Sequence, residues 1–276
     1  MRRRTYGLLA LLTTLSLPVM MACGSASKDS ESSDDELGEA SRPPATAYDP
    51  FTNLDPGETL WDNEQADIQG SVEIIEHFLK RRYSEGRTDS HGRVRYLRDA
   101  HAKAHGCVKA EFNVRTDVPA DMKVGVFAAP QTFKAWLRYS NGNSELRYDW
   151  RRDARGMAIK LTNVPGTKLV TDLPEQSTQD FVMINHPVFF VDNPALYGET
   201  LKVFHSGVAF ETLAQVLSVA KLPFENAKLA LAVNGSAIKN PLRDPYWSMS
   251  LYRLGQGHTA KYAAIPVACK GPTSDL

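Results

Sequence analysis

The stretch VKAEFNV, residues 108–114, decides the fold class because apolar and polar side chains alternate along its whole length. In an extended chain, successive side chains point to opposite sides. One side of this stretch therefore carries only apolar residues, and the other carries charged and amide groups. This period of two is typical of a half-buried strand in an antiparallel sheet.

Three later segments have the same period. Their alternating series are Trp136, Arg138 and Ser140; Met157, Ile159 and Leu161; and Phe181, Met183 and Asn185. Turn-forming residues separate the segments, at 117–119, 141–143 and 164–166. We therefore predict four antiparallel strands.

Helical spacing is found on both sides of these strands. Residues 67–83 predict an amphipathic helix, with Ile68, Val72, Ile75, Phe78 and Leu79 on one side. Residues 194–233 are again helical in pattern, most clearly between Leu213 and Ala220. Segments 250–254 and 260–267 flank Gly255-Gln-Gly257 and predict a hairpin. The predicted fold is α+β, an antiparallel sheet with a helical insertion.

The N-terminal residues predict export. Three arginines at 2–4 precede an apolar run from Leu8 to Met21, which is too short to cross a bilayer but fits a secretory signal. The run ends in Met-Met-Ala-Cys23-Gly, which resembles a bacterial lipobox. We expect residues 1–23 to be a lipoprotein signal peptide, with Cys23 lipidated at the cell envelope. An ordinary cleaved signal is the alternative.

Residues 24–50 are rich in Ser, Asp, Glu and Pro, and we expect a disordered tether there. Residues 51–276 can build one domain. Acidic and basic residues balance at 32 each, so no overall charge favours nucleic acid. Cys107 and Cys269 could form a disulfide in an exported protein or remain two separate thiols.

Two local patterns raise the question of chemistry. His101 and His105 are spaced for a metal site on a helix, but Gly106 and the strand after it argue against a helix. Arg138 and Ser140 leave the same side of a strand. A buried arginine needs an anion, which a carboxylate-bearing cofactor would supply; a rim position, or a structural carboxylate such as Asp153, is the alternative.

Four motifs occur here in the order in which they occur in haem catalases. They are HAK at 101–103, RYS at 138–140, RDARGMAIK at 152–160 and NHPVFF at 185–190. The stretch from Arg98 to Tyr197 thus resembles that family, and most of all its small, divergent bacterial members. The segments NPL at 240–242, YWS at 246–248 and YRLG at 252–255 also resemble that subgroup. The resemblance implies an incomplete catalase-like β-barrel.

The resemblance also assigns roles to residues. It makes His101 the distal catalytic base above a haem and Ser140 the residue that orients it. Arg98 and Arg138 match arginines that pair with haem propionates, and Tyr197 takes the place of a phenylalanine packed near the haem. Phe189 and Phe190 are expected in the wall and core.

The sequence departs from the family at two places. Counted back from Pro187, Ile184 stands where the family has its distal asparagine, and Asn185 matches the neighbouring position. Adjacent strand residues face opposite sides, so without a bulge only one of the two faces the haem. Asn185 is nevertheless the catalytic candidate. The family's proximal tyrosine, in an Arg-x-x-x-Tyr context, has no counterpart, so the metal ligand is unknown.

The resemblance thus implies a haem-dependent catalase or peroxidase that acts on hydrogen peroxide or on organic hydroperoxides, including lipid hydroperoxides. A non-catalytic haem-binding lipoprotein and a truncated remnant without cofactor are the alternatives. The missing barrel strands indicate a truncated frame, completion by a partner or loss of haem. An unpaired strand edge near Val267 would favour a homo-oligomer.

Overall fold

The computed structural model describes residues 51–55, 57–84, 98–144, 146–166, 168, 177–205, 222–235 and 240–267. The predicted signal peptide, Cys23, the tether, Cys269 and the helix between Leu213 and Ala220 lie outside these residues. Cys107 is described and half-buried, and its pairing with Cys269 stays a prediction.

Four long strands form the centre of the sheet. They are β1 (Ala104–Val114), β2 (Gln131–Asn141), β3 (Arg155–Thr162) and β4 (Thr178–Ile184). Each is antiparallel to the next. Two short 3-10 helices, Ala120–Met122 and Gly125–Phe127, connect β1 to β2. The four predicted strands are therefore confirmed, although β4 ends at Ile184 and leaves Asn185 in the segment that follows.

Short strands continue the fold after the helices. They are β5 (Tyr246–Trp247), β6 (Tyr252–Arg253), β7 (Thr259–Ala260) and β8 (Ala263–Ala264). The hairpin is confirmed in shorter form, because β6 pairs with β7. Its predicted second arm, 260–267, is divided: β8 pairs with β5 and extends the main sheet. That sheet has the order β1-β2-β3-β4-β5-β8, so within the described residues it is open, with β1 and β8 at its edges.

One side of the main sheet forms the core. The buried residues here come from all four long strands and from the segments beside them: Val114, Val126, Phe133, Ala135, Met157, Leu161, Phe181, Met183 and Tyr246. On β2 the core series is Phe133 and Ala135. The series Trp136, Arg138 and Ser140 therefore lies on the opposite side of the sheet, which we call the site face.

Three α-helices are described. They are α1 (Glu64–Ser84), α2 (Pro194–Phe204) and α3 (Phe224–Asn234). α1 buries the predicted apolar side, including Ile68, Val72, Ile75 and Phe78. It packs against α2, whose start is capped by Asn193, since the Asn193 Oδ1 accepts a hydrogen bond from the Leu196 N–H (2.8 Å). The predicted α+β class with a helical insertion is confirmed. None of the described helices is both long and apolar enough to cross a bilayer.

Candidate active site

His101 lies just before β1 in a strained backbone conformation, with φ at +60°. A non-glycine residue rarely adopts this left-handed region unless its surroundings enforce it. Two hydrogen bonds do so here: the His101 N–H donates to the Gly142 carbonyl (3.1 Å), and the Arg138 guanidinium donates to the His101 carbonyl (2.7 Å). Both backbone groups of His101, its N–H and its carbonyl, are therefore hydrogen-bonded to residues in or directly after β2.

The imidazole ring has a defined tautomer. Its Nδ1 lies 2.8 Å from the Asn141 carbonyl oxygen and 3.1 Å from the Ser140 hydroxyl. A carbonyl oxygen can only accept, so in the neutral ring Nδ1 carries the hydrogen. Nε2 is then the nitrogen with a free lone pair. This arrangement is what a general base requires, and Ser140 contacts the ring as the sequence predicts.

Space for the ring is made by Gly156 on β3. A Cβ added at Gly156 would lie 2.5 Å from His101 Nδ1 and 2.9 Å from the Ser140 hydroxyl. Gly156 is the direct partner of Ser140 on β2 and of Ile184 on β4. Directly paired residues of neighbouring strands share a face. His101 therefore lies against a row made of Ser140, Gly156 and Ile184.

The surroundings keep His101 neutral. Burial lowers its pKa to about 4, and the positive charges of Arg138 and Arg98 act in the same direction. The Asn141 carbonyl and Asp99 oppose this shift only partly. At neutral pH the ring is therefore unprotonated at Nε2 and able to accept a proton.

The two predicted arginines lie on the His101 side of the sheet. Arg138 is buried, and its direct partner on β1 is Cys107. The side chain of Arg98 is exposed and interacts electrostatically with the same Cys107. The alternative carboxylate, Asp153, accepts a hydrogen bond from the Asn143 N–H and lies 3.9 Å from Arg155. The structure thus brings Arg98, Arg138, Ser140 and His101 together.

Asn185 is placed differently from the other candidates. Its side-chain oxygen accepts a hydrogen bond from the Arg155 N–H (2.7 Å), and its own N–H donates to the Arg155 carbonyl (3.0 Å). These contacts join the end of β4 to the start of β3. Ile184 is the residue that shares a face with Ser140 and Gly156. The position beside His101 is therefore held by an apolar side chain, and Asn185 has a backbone-pairing role.

Tyr197 lies on α2, where its ring packs against Phe189 at a centroid distance of 5.5 Å. Burial raises the pKa of its hydroxyl, and the charge of Asp99 raises it further. Phe190 is buried next to Phe189 in a small apolar cluster with α3, as expected for wall and core. Tyr197 is therefore a neutral packing residue close to the segment that carries His101.

The structure adds residues that the sequence did not reveal. The Asp99 Oδ1 lies 2.9 Å from Nε2 of His205, directly after α2, and the His205 ring stacks on Phe78 of α1 (3.9 Å between centroids). This contact ties the His101 segment to both helices. Asn141 and Gly156 were also missed as site residues, although both lie within motifs or turns that were recognised. For His205 the sequence carried no signal.

His101 and His105 form no metal site. His105 Nε2 contacts the side-chain oxygen of Asn141, whereas His101 uses the Asn141 backbone oxygen. Within the described residues no group of three or more metal-ligating side chains is present. Each histidine thus makes a hydrogen bond to a different oxygen atom of Asn141.

The site face fits one side of a flat, apolar, anionic group such as haem. Two guanidiniums stand beside a surface formed by Ala158, Val182 and Ile184, and Val182 is exposed. Burial raises the pKa of Tyr246, Tyr252 and Tyr262, and the Tyr246 hydroxyl donates to the Pro241 carbonyl (2.8 Å). Tyr246 belongs to the core cluster on the other side of the sheet, and Tyr262 packs against that cluster.

Comparison with known proteins places this geometry in context. Residues 87–207 match the family model described as Catalase. A fungal catalase of known structure is 16% identical, with a TM-score of 0.44, over 78% of this chain and 40% of that one. Catalase A from Saccharomyces cerevisiae is 18% identical, with a TM-score of 0.38, over 74% of this chain and 38% of that one. This chain thus spans about two fifths of these two structures. No curated protein matches it.

Proposed function

Because this chain is catalase-like, we propose that it is a haem-dependent peroxidase or catalase that acts on hydrogen peroxide or organic hydroperoxides, with His101 as its base. The observation that carries this proposal is the hydrogen bond from His101 Nδ1 to the Asn141 carbonyl. It fixes the tautomer, while burial and two arginines keep the ring neutral.

Four residues of this chain would hold the cofactor. The guanidiniums of Arg98 and Arg138 are suited to its two propionates, since charge-assisted hydrogen bonds to carboxylates are the strong ones. Tyr197 and Phe189 would contribute apolar contacts at the edge. When bound, haem would supply the iron that makes a peroxide O–O bond reactive.

His101 would move one proton. Its Nε2 would take the proton from one oxygen of a hydroperoxide and return it to the other oxygen, which leaves as water or alcohol when the O–O bond breaks. Haem, when bound, would supply the two electrons that this cleavage consumes. The low pKa keeps the base available at neutral pH, and the Asn141 carbonyl stabilises the ring while it is briefly charged. Proton transfer of this kind contributes about 10²–10⁴ in rate.

Ile184 limits this chemistry. An apolar side chain beside His101 cannot donate a hydrogen bond to a bound peroxide, and one such bond is worth about 1 kcal/mol. We therefore expect Ile184→Asn to accelerate peroxide turnover about five-fold. Ile184→Val is the control, because it keeps the site apolar.

The location of the protein is a second part of the proposal. We infer from Cys23 and the apolar run before it that the chain is exported and held at the cell envelope by a lipid. Metabolic labelling with a palmitate analogue should mark the wild-type chain but not Cys23→Ser. An unlabelled wild type would remove the anchor from the proposal.

The test of activity uses the full chain titrated with haem. We expect a Soret band at saturation and peroxide decomposition above that of free haem. His101→Ala should keep the band and slow decomposition about 10²-fold or more. His77→Ala on the exposed surface of α1 is the matched control and should change neither.

The outcomes separate the three interpretations of this family resemblance. A Soret band without decomposition would make the chain a haem-binding protein without turnover. A folded chain that takes up no haem would leave a catalase-like remnant. Equal rates for wild type and His101→Ala would remove His101 as the base, whatever the haem content.

A further inference from the structure

One histidine beside the candidate site, His105, has no part in the reaction proposed above. It lies where the pairing between β1 and β2 shifts by one residue. Ala104 is the partner of Ser140, and the next pair is Gly106 with Tyr139. His105 is therefore the extra residue of a β-bulge. Bulges interrupt the alternation of a strand and redirect a side chain, and they are frequent next to active sites.

The His105 ring reaches Asn141, the last residue of β2. Its Nε2 is hydrogen-bonded to the Asn141 Oδ1, and because an amide oxygen can only accept, Nε2 carries the hydrogen. Asn141 is only 1% exposed, and its Nδ2 has no hydrogen-bond partner among the described residues. In that part of the chain, the buried amide is thus held by His105 alone.

The other nitrogen of the His105 ring faces Asp149. Nδ1 lies 3.4 Å from the Asp149 Oδ1, and the same oxygen accepts a hydrogen bond from the Lys103 ammonium (2.8 Å). The Asp149 side chain is 59% exposed, and an ion pair in contact with water contributes little to stability. The buried contact with Asn141 therefore matters more for the position of the ring than the contact with Asp149 does.

Asn141 is hydrogen-bonded to both histidines of this segment. Its backbone carbonyl accepts from His101 Nδ1 (2.8 Å), and its side-chain oxygen accepts from His105. A buried amide that loses its partner is costly, so without His105 the side chain is driven to seek another partner. Because side chain and carbonyl belong to one residue, such a movement also displaces the acceptor that His101 requires.

We propose that His105 is a positioning residue for the base: it holds the Asn141 amide at the end of β2 and thereby keeps the hydrogen of His101 on Nδ1 and the lone pair on Nε2. His105 itself moves no proton, since Asn141 stands between the two rings. The expected effect on peroxide turnover rests on the proposed function. The expected effect on the His101 ring does not depend on haem.

The first experiment reads the state of His101 in the full chain without haem. ¹⁵N spectra distinguish protonated from unprotonated ring nitrogens, and the His101 signals are assigned by their loss in His101→Gln. His105→Leu is similar in size but has no donor, and it should raise the fraction protonated at Nε2 about five-fold or more. His105→Gln can still donate an amide N–H to Asn141 and should restore the wild-type signals.

The second experiment measures peroxide decomposition by the full chain saturated with haem. We expect kcat to fall about five-fold in His105→Leu, with KM and the Soret band unchanged, because only the base is disturbed. Asn141→Ala removes the amide but keeps the backbone carbonyl, and it should slow turnover by a similar factor. The double variant should be no slower than the slower single variant, since both changes remove the same contact.

His258→Leu is the matched control, because it removes an exposed imidazole between β6 and β7 and should change neither measurement. Asp149→Asn should slow turnover about two-fold or less, since its contact is open to water. Far-UV circular dichroism checks that each variant is folded. If His105→Leu does not fold, Asn141→Ala gives the same two readouts, because it removes the same hydrogen bond from the other side.

Unchanged His101 signals in His105→Leu would overturn the proposal. Equal effects of His105→Leu and His105→Gln would do so too, because the donated hydrogen would then be irrelevant. Additive losses in the double variant would show that His105 does not act through Asn141. A wild type that decomposes no peroxide, but whose His101 signals shift in His105→Leu, would remove the proposed function and leave the positioning role of His105 in place.

Discussion

The two sides of the four long strands follow different principles, although alternate residues of the same strands supply them. The core face is closed by apolar side chains that need only fill space, such as Phe133, Leu161 and Met183. The site face is held by named atoms: the Asn141 carbonyl, the Ser140 hydroxyl and the missing Cβ of Gly156.

This difference separates stability from chemistry. A close-packed face loses free energy when volume is removed, because the cavity is not refilled. The site face depends instead on where one ring stands, so a change of a single atom can matter while the fold persists. Substitutions on the core face should therefore act on unfolding, and substitutions on the site face should act on the state of His101.

The largest effect on stability is expected from Leu161→Ala on β3. Leu161 is fully buried, and its truncation should cost about 2–5 kcal/mol of unfolding free energy. Val182→Ala, on the site face of the neighbouring strand, is the control and should cost less than about 1 kcal/mol, because Val182 is already exposed to water. Urea denaturation measures both, and equal costs would contradict the distinction between the two faces.

Gly156→Ala should have the next largest effect. Its new methyl group would overlap the His101 ring and the Ser140 hydroxyl, so we expect a loss of about 1–3 kcal/mol and a displaced imidazole. The imidazole NMR signals of His101 report the displacement directly. Gly106→Ala on β1 is the matched control, because no atom lies within 4 Å of its added Cβ. Unchanged His101 signals in Gly156→Ala would show that the ring does not lie against β3.

The core face was predictable from the sequence because it follows from periodicity alone. Alternation placed all four long strands, and helical spacing placed the buried side of α1. The end of β4 at Ile184 was harder to predict. Asn185 continues the alternation in the sequence, but its side chain accepts a hydrogen bond from the backbone of Arg155. The short strand β8 could not be foreseen either, since the two residues that pair with β5 carry no pattern.

The pH dependence of stability tests the environment of His101. Its pKa is about 4 in the folded chain and about 6.5 when unfolded, so the unfolded state binds more protons between these values. Stability from this group is therefore complete above about pH 6.5 and is lost as the pH falls towards 4. In His101→Gln, the unfolding free energy lost between pH 6.5 and pH 4 should be smaller by about 1–3 kcal/mol. The same slope in both proteins would mean that the imidazole is not buried.

The site was only partly predictable, and the reason is geometric. Motifs predicted His101, Ser140 and the two arginines as site residues, and the structure places these four residues near one another. The contacts that hold His101 come instead from backbone atoms of Gly142 and Asn141 and from the empty volume at Gly156. Every residue has a backbone carbonyl, so residue type alone does not predict which carbonyl will accept a hydrogen bond from His101. The His205–Asp99 pair joins segments more than a hundred positions apart, and single-sequence patterns do not report such pairings.

Ser140→Ala should have the smallest effect and is the sharpest test of how the site face works. The hydroxyl is the longer of the two contacts of Nδ1, and the Asn141 carbonyl remains after its removal. We therefore expect a cost of about 1 kcal/mol or less, with Nδ1 still protonated in ¹⁵N spectra of the imidazole. Ser250→Ala, which also removes a hydroxyl, is the control for stability. A switch of the proton to Nε2 in Ser140→Ala would show that the serine, rather than the backbone carbonyl, sets the tautomer. The protonation of Nδ1 would then depend on the Ser140 side chain, which belongs to the RYS motif, and not on the backbone carbonyl of Asn141 at the end of β2.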